Sequence, residues 1–389
     1  MLLDVLVFGG GAAGLWCLDR LRRAGYHAIL LESTALGQGQ TIQAQGIIHG
    51  GGKYALRGMR DFAAVQATSR MPDRWRRSLA GEWEPSLAGT QVLSEKCYLW
   101  LPRGSAVAWI QSWGFMSIIA KAGLLATRPE KLSVADWPET LRGSATAVYA
   151  LAEPVISTGS FLKALAAHHQ ESIFLYDGRD VQLSKEGVRI CDVLLQPRAI
   201  VLSAGAGNEE LLRRAGMAAD LMQRRPLGMV LLRGDLPALF GHCIVGGKTG
   251  LTITSPAGHL WQIGGEIAER LAHEENAQAA RRIALGEIHR WLPQLDLNHA
   301  EIAIYRAVRA EARTAAQKRP SGVHVGRIGP GMVVAWPTKL SMAPVLADDV
   351  FELVELDLKE PGGYDEVPPW PMPGVARYPW EEVEWFPAH

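Results

Sequence analysis

The beginning of the chain alternates apolar runs with a glycine-rich turn in the order strand, helix, strand. An apolar run at residues 5–8 leads directly into the sequence GGGAAG at residues 9–14, which opens a helical pattern. A second apolar run, residues 28–31, ends in Glu32. This order predicts a βαβ unit of the kind that binds dinucleotides.

The three spaced glycines of this turn each suit a separate task. Gly9 permits the tight turn from strand to helix, Gly11 lets the backbone approach a pyrophosphate, and Gly14 lets helix and strand pack closely. The helix would direct its unpaired N–H groups and the positive end of its dipole at the phosphates. Glu32 stands where a carboxylate can accept both hydrogens of an adenosine ribose diol. The pattern therefore predicts a bound adenine dinucleotide.

The rest of the chain shows a mixture of strand and helix patterns. A loop rich in glycine and glutamine, residues 36–54, follows the first unit, and residues 203–208 form a second glycine turn that opens a helix. That second turn suits either a cofactor wall or a plain connection. Strands are predicted at 173–175, 180–183, 199–202, 229–233, 243–245, 251–254 and 260–263, and helices at 57–77, 104–113, 160–169, 278–291 and 343–358.

Composition favours an enzyme of more than one domain. With 389 residues, of which 48% are hydrophobic and 21% charged, the chain can bury a large core. Basic and acidic residues number 40 each, so the charge balance predicts no nucleic-acid partner. Scattered cysteines without C-x-x-C spacing argue against zinc, an iron–sulfur cluster or a disulfide framework. These cysteines are Cys17, Cys97, Cys191 and Cys243.

The N-terminal sequence does not read as a signal peptide. Asp4 replaces the expected positive start, and three consecutive glycines interrupt any apolar helix. No run approaches the ~20 apolar residues of a membrane span. We therefore expect a cytoplasmic protein without a transmembrane segment.

Four segments together resemble flavoproteins of the D-amino-acid oxidase type. They are the N-terminal βαβ unit, the loop at residues 39–51, the strand and turn at 200–207, and Thr-Lys-Leu-Ser at 338–341. That superfamily includes glycine oxidase, sarcosine oxidase, glycerol-3-phosphate dehydrogenase and L-2-hydroxyglutarate dehydrogenase. The stretch IIHGGGKY at residues 47–54 is most similar to the last two.

The resemblance implies an α/β fold with a discontinuous Rossmann-like FAD-binding domain and an inserted mixed α+β substrate domain. The FAD-binding domain would comprise residues 1–80, 148–218 and 325–360, and the substrate domain residues 81–147 and 219–324. Residues 361–389 form a Pro/Trp-rich tail without periodicity. It would lie over the surface or over a neighbouring subunit of a homodimer.

The resemblance also assigns residues of this chain to FAD. The glycine turn would hold the pyrophosphate and Glu32 the ribose, while the loop at 40–49 would line the ribityl chain and the isoalloxazine. The backbone of Val181 would meet the adenine side, and residues 338–341 would lie at the pyrimidine end of the flavin. The assigned residues are Gly9, Gly11, Ala12, Ala13, Gly14, Glu32, Ser33, Gln40, Thr41, Gln45, Gly46, Ile47, His49, Val181, Ala204, Gly205, Thr338, Lys339, Leu340 and Ser341.

One departure from the family pattern bears on the substrate. Amine oxidases of this group usually carry a glycine-rich loop where this chain has Trp-Pro-Thr-Lys at residues 336–339. The departure favours hydroxy compounds over amines.

Arg309 is the predicted cation for a carboxylate or phosphate on the substrate. In the sequence YRAVRA at residues 305–310 it matches the arginine of the family's W-x-G-L-R-P strand, with Tyr305 at the aromatic position. Its guanidinium offers a two-pronged fork to a planar anion. The alternative is a solvated helix face, because Arg306, Arg309 and Arg313 share helical spacing.

An alcohol substrate requires a base for its hydroxyl proton, and His49 and His259 are the candidates. Each histidine has a structural alternative, and His49 has a second one, a covalent link to the flavin. Lys53 and Lys248 are candidates for positive charge near the flavin or for surface ion pairs.

The leading hypothesis is an FAD-dependent oxidase or dehydrogenase. It would move a hydride to flavin N5 from the carbon of a small 2-hydroxy acid, 2-amino acid or polyol phosphate. The alternatives are a flavoprotein with an RNA-modifying or partner-binding role, and an NAD(P)-linked dehydrogenase.

Overall fold

The computed structural model describes residues 1–51, 68–103, 129–184, 186–315, 319–337, 339–365 and 370–388. The first part of the predicted helix 57–77 and the predicted helix 104–113 lie outside these residues, as do Lys53 and Thr338.

The described strands form two large sheets and one small pair. They are β1 (Leu2–Phe8), β2 (Ala28–Glu32), β3 (Val92–Ser94), β4 (Cys97–Pro102), β5 (Glu130–Lys131), β6 (Ala145–Leu151), β7 (Val155–Ile156), β8 (Ile173–Leu175), β9 (Val181–Ser184), β10 (Gly187–Ile190), β11 (Val193–Leu202), β12 (Met222–Arg233), β13 (Gly241–Val245), β14 (Lys248–Ala257), β15 (Leu260–Gly264), β16 (Glu301–Ala312), β17 (His324–Gly329), β18 (Met332–Trp336) and β19 (Phe386–Pro387).

The described α-helices pack on the faces of these sheets. They are α1 (Ala12–Arg23), α2 (Met71–Leu79), α3 (Thr158–Ala166), α4 (Asn208–Arg214), α5 (Glu266–Leu271), α6 (Ala277–Trp291) and α7 (Ala343–Leu358). None of these helices combines the length and apolar character that crossing a membrane requires.

The first sheet has the order β17-β18-β11-β1-β2-β8, and the β9–β10 hairpin joins it at β11. Its central strands are parallel. Val5 and Val7 pack in the core that α1 and α7 cover, whereas Leu6 and Phe8 pack in the core on the opposite face. Because both faces are covered, β1 reads as an uninterrupted apolar run.

The second sheet has nine strands in the order β19-β16-β12-β15-β14-β13-β4-β6-β5. β12 and β16 pair antiparallel from Met222 opposite Ala312 to Arg233 opposite Glu301. Helices α5 and α6 cover one face of this sheet. The other face of β12, with Leu227 and Met229, turns toward the cavity described below.

Most of the predicted elements agree with those observed. Helix 343–358 is found as predicted, and helix 278–291 starts one residue earlier. The strands predicted at 199–202 and 229–233 are the ends of the longer strands β11 and β12. The helical reading of residues 306–313 is wrong, because Arg306 and Arg309 lie on β16, where pairing with β12 fixes an extended backbone.

Two of the predicted domain boundaries do not coincide with the division of the strands between the two sheets. The boundary between residues 147 and 148 falls inside β6, which belongs wholly to the second sheet. β19, from the predicted tail, also adds to the second sheet by pairing with β16.

The described part of the tail lies on its own chain. Its contacts include the stack of Tyr364 on His27, the hydrogen bond from the Leu175 N–H to the Pro371 carbonyl, the bridge between Leu36 and Val375, and the pairing of β19 with β16. The tail therefore touches both sheets.

Candidate active site and cofactor cavity

A cavity of about 720 Å³ lies between the two sheets. Its walls come from the glycine turn after β1, the end of β2, the loop at residues 38–49, the turn at 203–207 and the facing strands β12 and β16. Sites that enclose small molecules occupy roughly 300–1,000 Å³. The predicted FAD residues that line it are Gly9, Gly11, Ala12, Ala13, Glu32, Ser33, Gln40, Thr41, Gln45, Gly46, Ile47, His49, Val181, Ala204, Gly205, Lys339 and Leu340.

The glycine turn leaves no room for side chains. Gly9 has φ +103°, and a Cβ there would lie 2.5 Å from the Cα of Ala204. A Cβ on Gly14 would collide with the carbonyl oxygen of Gly9. Gly14 is thus buried between helix and strand rather than exposed to the cavity, as its predicted packing role requires.

The N-terminus of α1 faces the cavity. Ala12 and Ala13 line it, and the hydroxyl of Thr41 accepts a 3.1 Å hydrogen bond from the Ala12 N–H. Gly11, the residue before the helix, supplies no side-chain cap. Thr41 therefore gives the end of α1 a hydrogen-bond acceptor from outside the helix, next to the turn that is predicted to hold the pyrophosphate.

Glu32 is held at the end of β2 by backbone donors. Its Oε2 accepts the Gly10 N–H at 2.7 Å, and its Oε1 accepts the Thr34 N–H at 2.9 Å. The carboxylate is buried but still lines the cavity. A fixed carboxylate at this place suits a ribose diol, because each hydroxyl can donate to it.

Gln40 and Gln45 use their side-chain amides to join the loop to the second sheet. Gln40 Oε1 accepts the Ala310 N–H at 3.0 Å. Gln45 Nε2 donates to the carbonyls of Thr252, at 2.9 Å, and of Gln262, at 2.8 Å. Both glutamines line the cavity, yet these bonds give them a positioning role that the sequence did not predict.

Gln262, which sequence reasoning missed, is buried behind the cavity wall and joins two of its segments. Its Nε2 lies 2.8 Å from the Gln43 carbonyl and 2.7 Å from the hydroxyl of Tyr305. Gly264 ends its strand, Gly265 follows it, and both line the cavity. A glycine pair after a buried strand is the signal that could have drawn attention to this segment.

His49 lies at the far end of the same loop, against a buried carboxylate. Its Nδ1 is 3.3 Å from Oε2 of Glu153, and Oε1 of Glu153 accepts the Gly50 N–H at 2.7 Å. The ring of His242, on β13, has its centroid 5.5 Å from that of His49, and its Nδ1 is 2.9 Å from the hydroxyl of Thr252. The potential ligand atoms of the two histidines and Glu153 all lie within 4.8 Å of one another.

No pattern in the sequence indicates that Glu153 and His242 lie next to His49. Glu153 could have been noticed as an acidic residue that follows an apolar stretch and precedes Pro154. His242 has no such signal in the sequence, because it lies inside an apolar strand.

Arg309 lies on the cavity wall contributed by β16 and is half-buried. Tyr305, on the same strand, is buried, and burial raises the pKa of its phenol against the opposing effects of Gln262 and the nearby Arg309 charge. Arg306 instead donates to carbonyls at the end of α5, including those of Leu271 and Ala272. Arg309 therefore lines the cavity, whereas the guanidinium of Arg306 is bonded to the end of α5.

The segment after β18 closes the cavity near the turn at 203–207. Trp336 Nε1 donates to the Gly205 carbonyl at 3.0 Å. Lys339 is buried, and its Nζ lies 3.5 Å from the Ser321 carbonyl. Ser341, by contrast, is buried beneath the cavity wall, where its carbonyl accepts the Trp75 indole N–H.

The structure does not bring His259 to the cavity. His259 lies in the turn between β14 and β15 with φ +57°, and its side chain is 73% exposed with Nδ1 3.8 Å from a carboxylate oxygen of Asp235. The prediction of His259 as a catalytic base is corrected accordingly. Lys248 forms a 2.7 Å ion pair with Glu266 at the surface. This agrees with the predicted alternative of a surface ion pair.

Comparison with known proteins places this geometry in a family. The sequence matches the DAO family of FAD-dependent oxidoreductases over residues 4–352. The probable FAD-dependent oxidoreductase PA4991 of Pseudomonas aeruginosa is 38% identical over 393 residues, which cover 97% of each chain. The chain belongs to the DAO family of FAD-dependent oxidoreductases.

Solved structures show the same fold. The crystal structure of PA4991 matches 98% of both chains with a TM-score of 0.82 and 34% identity. Glycine oxidase from Geobacillus kaustophilus matches 97% of this chain and 99% of its own with a TM-score of 0.64 and 15% identity. L-α-glycerophosphate oxidase from Mycoplasma pneumoniae, with FAD bound, matches 98% and 100% with a TM-score of 0.64 and 16% identity.

Family membership confirms the predictions of an α/β fold, of an enzyme and of FAD as its cofactor. The residues at the cavity fit this cofactor. Gly9 admits no side chain because the backbone of Ala204 lies against it, the start of α1 points into the cavity, and a carboxylate is fixed at the end of β2.

Proposed function

We propose that this enzyme oxidises the hydroxyl-bearing carbon of a small 2-hydroxy acid or polyol phosphate, with a 2-amino acid as the alternative substrate. The observation that carries the proposal is the placement of His49, paired with buried Glu153, and of Arg309 on the walls of the cofactor cavity. Bound FAD supplies the hydride acceptor, flavin N5.

The first sheet supplies the residues that would hold the dinucleotide part of FAD. The N–H group of Ala13 at the start of α1 would bind the pyrophosphate, while the Ala12 N–H donates to Thr41 beside it. Glu32 would accept the ribose hydroxyls. Buried Lys339 would place positive charge at the pyrimidine end of the flavin, where the reduced ring gains negative charge.

His49 would act as the general base. An alcohol must lose its hydroxyl proton as its carbon loses a hydride, and an imidazole matches this task near neutral pH. Because Nδ1 of His49 faces Glu153, the nitrogen that would take the proton is Nε2. An amine substrate, once neutral, needs no such base, and this difference favours the hydroxyl substrate.

Arg309 would bind the anionic group of the substrate. Its guanidinium can give two parallel hydrogen bonds to a carboxylate or a phosphate. β16 carries it to the cavity on the sheet that faces the dinucleotide residues. Relatives of similar fold named for glycine and for glycerophosphate support a small substrate with an anionic group.

Anaerobic reduction of the flavin tests the proposal. Purified holoenzyme is mixed with a panel of 2-hydroxy acids, glycerol phosphates and 2-amino acids, and loss of the visible flavin absorbance is followed. We expect bleaching by a hydroxy acid or a polyol phosphate, and the same substrate should act slowly or not at all on His49→Asn. Bleaching by amino acids alone would replace the hydroxyl substrate with the alternative, and an unreactive flavin throughout would contradict both.

A further inference from the structure

We propose that Glu153 is the positioning residue of the active site: it fixes the His49 ring so that Nδ1–H points to its carboxylate and Nε2 serves as the base. This inference rests on the proposed function of His49. Glu153 itself would touch neither substrate nor flavin.

Glu153 connects the loop at 38–49 to the second sheet. It lies two residues after the end of β6, and β6 is fixed by antiparallel pairing with β4. One carboxylate oxygen accepts the Gly50 N–H at 2.7 Å, and the other lies 3.3 Å from Nδ1 of His49. The same carboxylate therefore positions both the backbone at Gly50 and the imidazole ring of His49.

The burial of this pair makes the charge on Glu153 effective. Glu153 is 3% exposed, and the side chain of His49 is 13% exposed. A buried carboxylate is costly unless it is hydrogen-bonded and paired. When His49 takes a proton, the imidazolium faces this carboxylate and the pair becomes neutral, which favours the charged ring.

Among the residues that the structure describes, His242 and Arg76 lie near the pair. His242, from β13, lies with its ring centroid 5.5 Å from that of His49 and has its own bond to Thr252. Arg76, from α2, donates to the carbonyl of Ala152, the residue before Glu153. A protonated His242 would compete with protonated His49 for the single negative charge of Glu153, so we expect His242 to remain neutral when His49 acts.

The proton balance of the proposed step is simple. The substrate C–H bond breaks and gives its electron pair and hydrogen to the bound oxidant, while the O–H bond breaks and gives its proton to Nε2 of His49. The C=O bond forms, and Nδ1–H of the resulting imidazolium stays hydrogen-bonded to Glu153. Glu153 remains ionised throughout and accepts no proton.

The test compares Glu153→Gln, Glu153→Asp and His49→Asn in the holoenzyme. A glutamine amide can donate to Nδ1 of His49, which would put the ring proton on Nε2, the wrong nitrogen for a base. We expect Glu153→Gln to lower kcat by about 100-fold, the scale of general base catalysis. The acid limb of its kcat/KM profile should move to lower pH, because the negative charge that favours the imidazolium is lost.

If the Glu153→Gln variant does not fold, the Glu153→Asp variant tests the proposal instead. It keeps the charge but withdraws it by one methylene, so kcat should fall while the acid limb stays closer to that of the wild type. Glu311→Gln is the matched control, because Glu311 is equally buried and pairs with Arg225 instead. It should affect stability and leave the pH profile unchanged.

The outcomes separate this inference from the proposed function. Wild-type activity of His49→Asn would overturn the proposed base, whereas an inactive His49→Asn beside a Glu153→Gln enzyme with wild-type kcat and pH profile would overturn the positioning role alone. Activity lost on chelation and restored by Zn²⁺ would also overturn it, because the two histidines and Glu153 would then act as metal ligands. Activity unaffected by chelation supports it.

Discussion

The phenolic oxygen of Tyr378 lies 2.8 Å from the backbone nitrogen of Gly159, in the first turn of α3. The same oxygen is 3.0 Å from the hydroxyl of Ser157, the N-cap residue of that helix. A Cβ on Gly159 would lie only 2.5 Å from the Tyr378 hydroxyl. Tyr378 of the tail thus accepts the Gly159 N–H at a position that has no space for a side chain, while Ser157 caps the Ser160 N–H.

Tyr378→Phe should destabilise the protein by about 1–3 kcal/mol, because the Gly159 N–H would lose its partner. α3 packs into the core of the first sheet through Phe161, so the loss should lower the unfolding temperature of the holoenzyme. Tyr364→Phe is the control, because Tyr364 is exposed and stacks on His27 through its ring. Equal melting temperatures for the two variants would contradict a tail fixed by Tyr378.

The second prediction concerns the buried carboxylate of Asp19 on α1. Burial raises its pKa, but the hydrogen bonds from His169, at 3.1 Å, and from Arg23 outweigh burial and lower the pKa below 3.8. A lowered folded pKa means that Asp19 stabilises the protein fully above the unfolded pKa of about 3.9 and loses this effect as pH falls through the folded value.

Asp19→Asn should therefore lower the free energy of unfolding by about 1–2 kcal/mol at pH 7, with the difference shrinking below about pH 4. Urea unfolding at several pH values measures this. Asp177→Asn is the matched control: hydrogen bonds from Arg179 lower the pKa of Asp177 to about 2, but both side chains are exposed to solvent, which screens them. A pH-independent loss in Asp19→Asn would contradict the linkage.

The sequence predicts the parts of this site that depend on neighbours along the chain. The turn at residues 9–14 and Glu32 follow from local spacing, because one βαβ unit positions them all. Helix 343–358 follows equally from its own periodicity. The βαβ unit alone predicts an adenine dinucleotide, whereas FAD was predicted from the family resemblance of the later loops, and family membership confirms it.

The substrate side depends on contacts between distant segments. Glu153 and His49 meet only because β6 and the loop at 38–49 end at the same place, and strand register is set by tertiary pairing. Arg306, Arg309 and Arg313 have helical spacing, yet pairing with β12 prevailed over that local pattern. The carbonyls that Gln45 binds also lie far away along the chain, so the sequence could not predict them.

The third prediction concerns Thr41, whose hydroxyl accepts the Ala12 N–H. Thr41→Val keeps the shape of the side chain and removes this bond at the phosphate end of α1. We expect the Kd for FAD to rise about tenfold, equivalent to about 1.4 kcal/mol. Titration of apoprotein by flavin fluorescence measures it. Thr146→Val, on β6 outside the cavity, should leave the Kd unchanged, and equal affinity of all three proteins would remove Thr41 from the cofactor site.

The last prediction separates charge from geometry at Arg309. Arg309→Lys keeps the positive charge but replaces a rigid fork with a single ammonium group. If the fork binds the anionic group of the substrate, KM should rise by about tenfold or more, the cost of one charge-assisted hydrogen bond, while the affinity for FAD is unchanged. Steady-state kinetics with the best substrate of the panel measures this. Arg233→Lys is the control, because Arg233 pairs with Glu301 at the surface. A KM change no larger than in this control would place the anion elsewhere in the cavity.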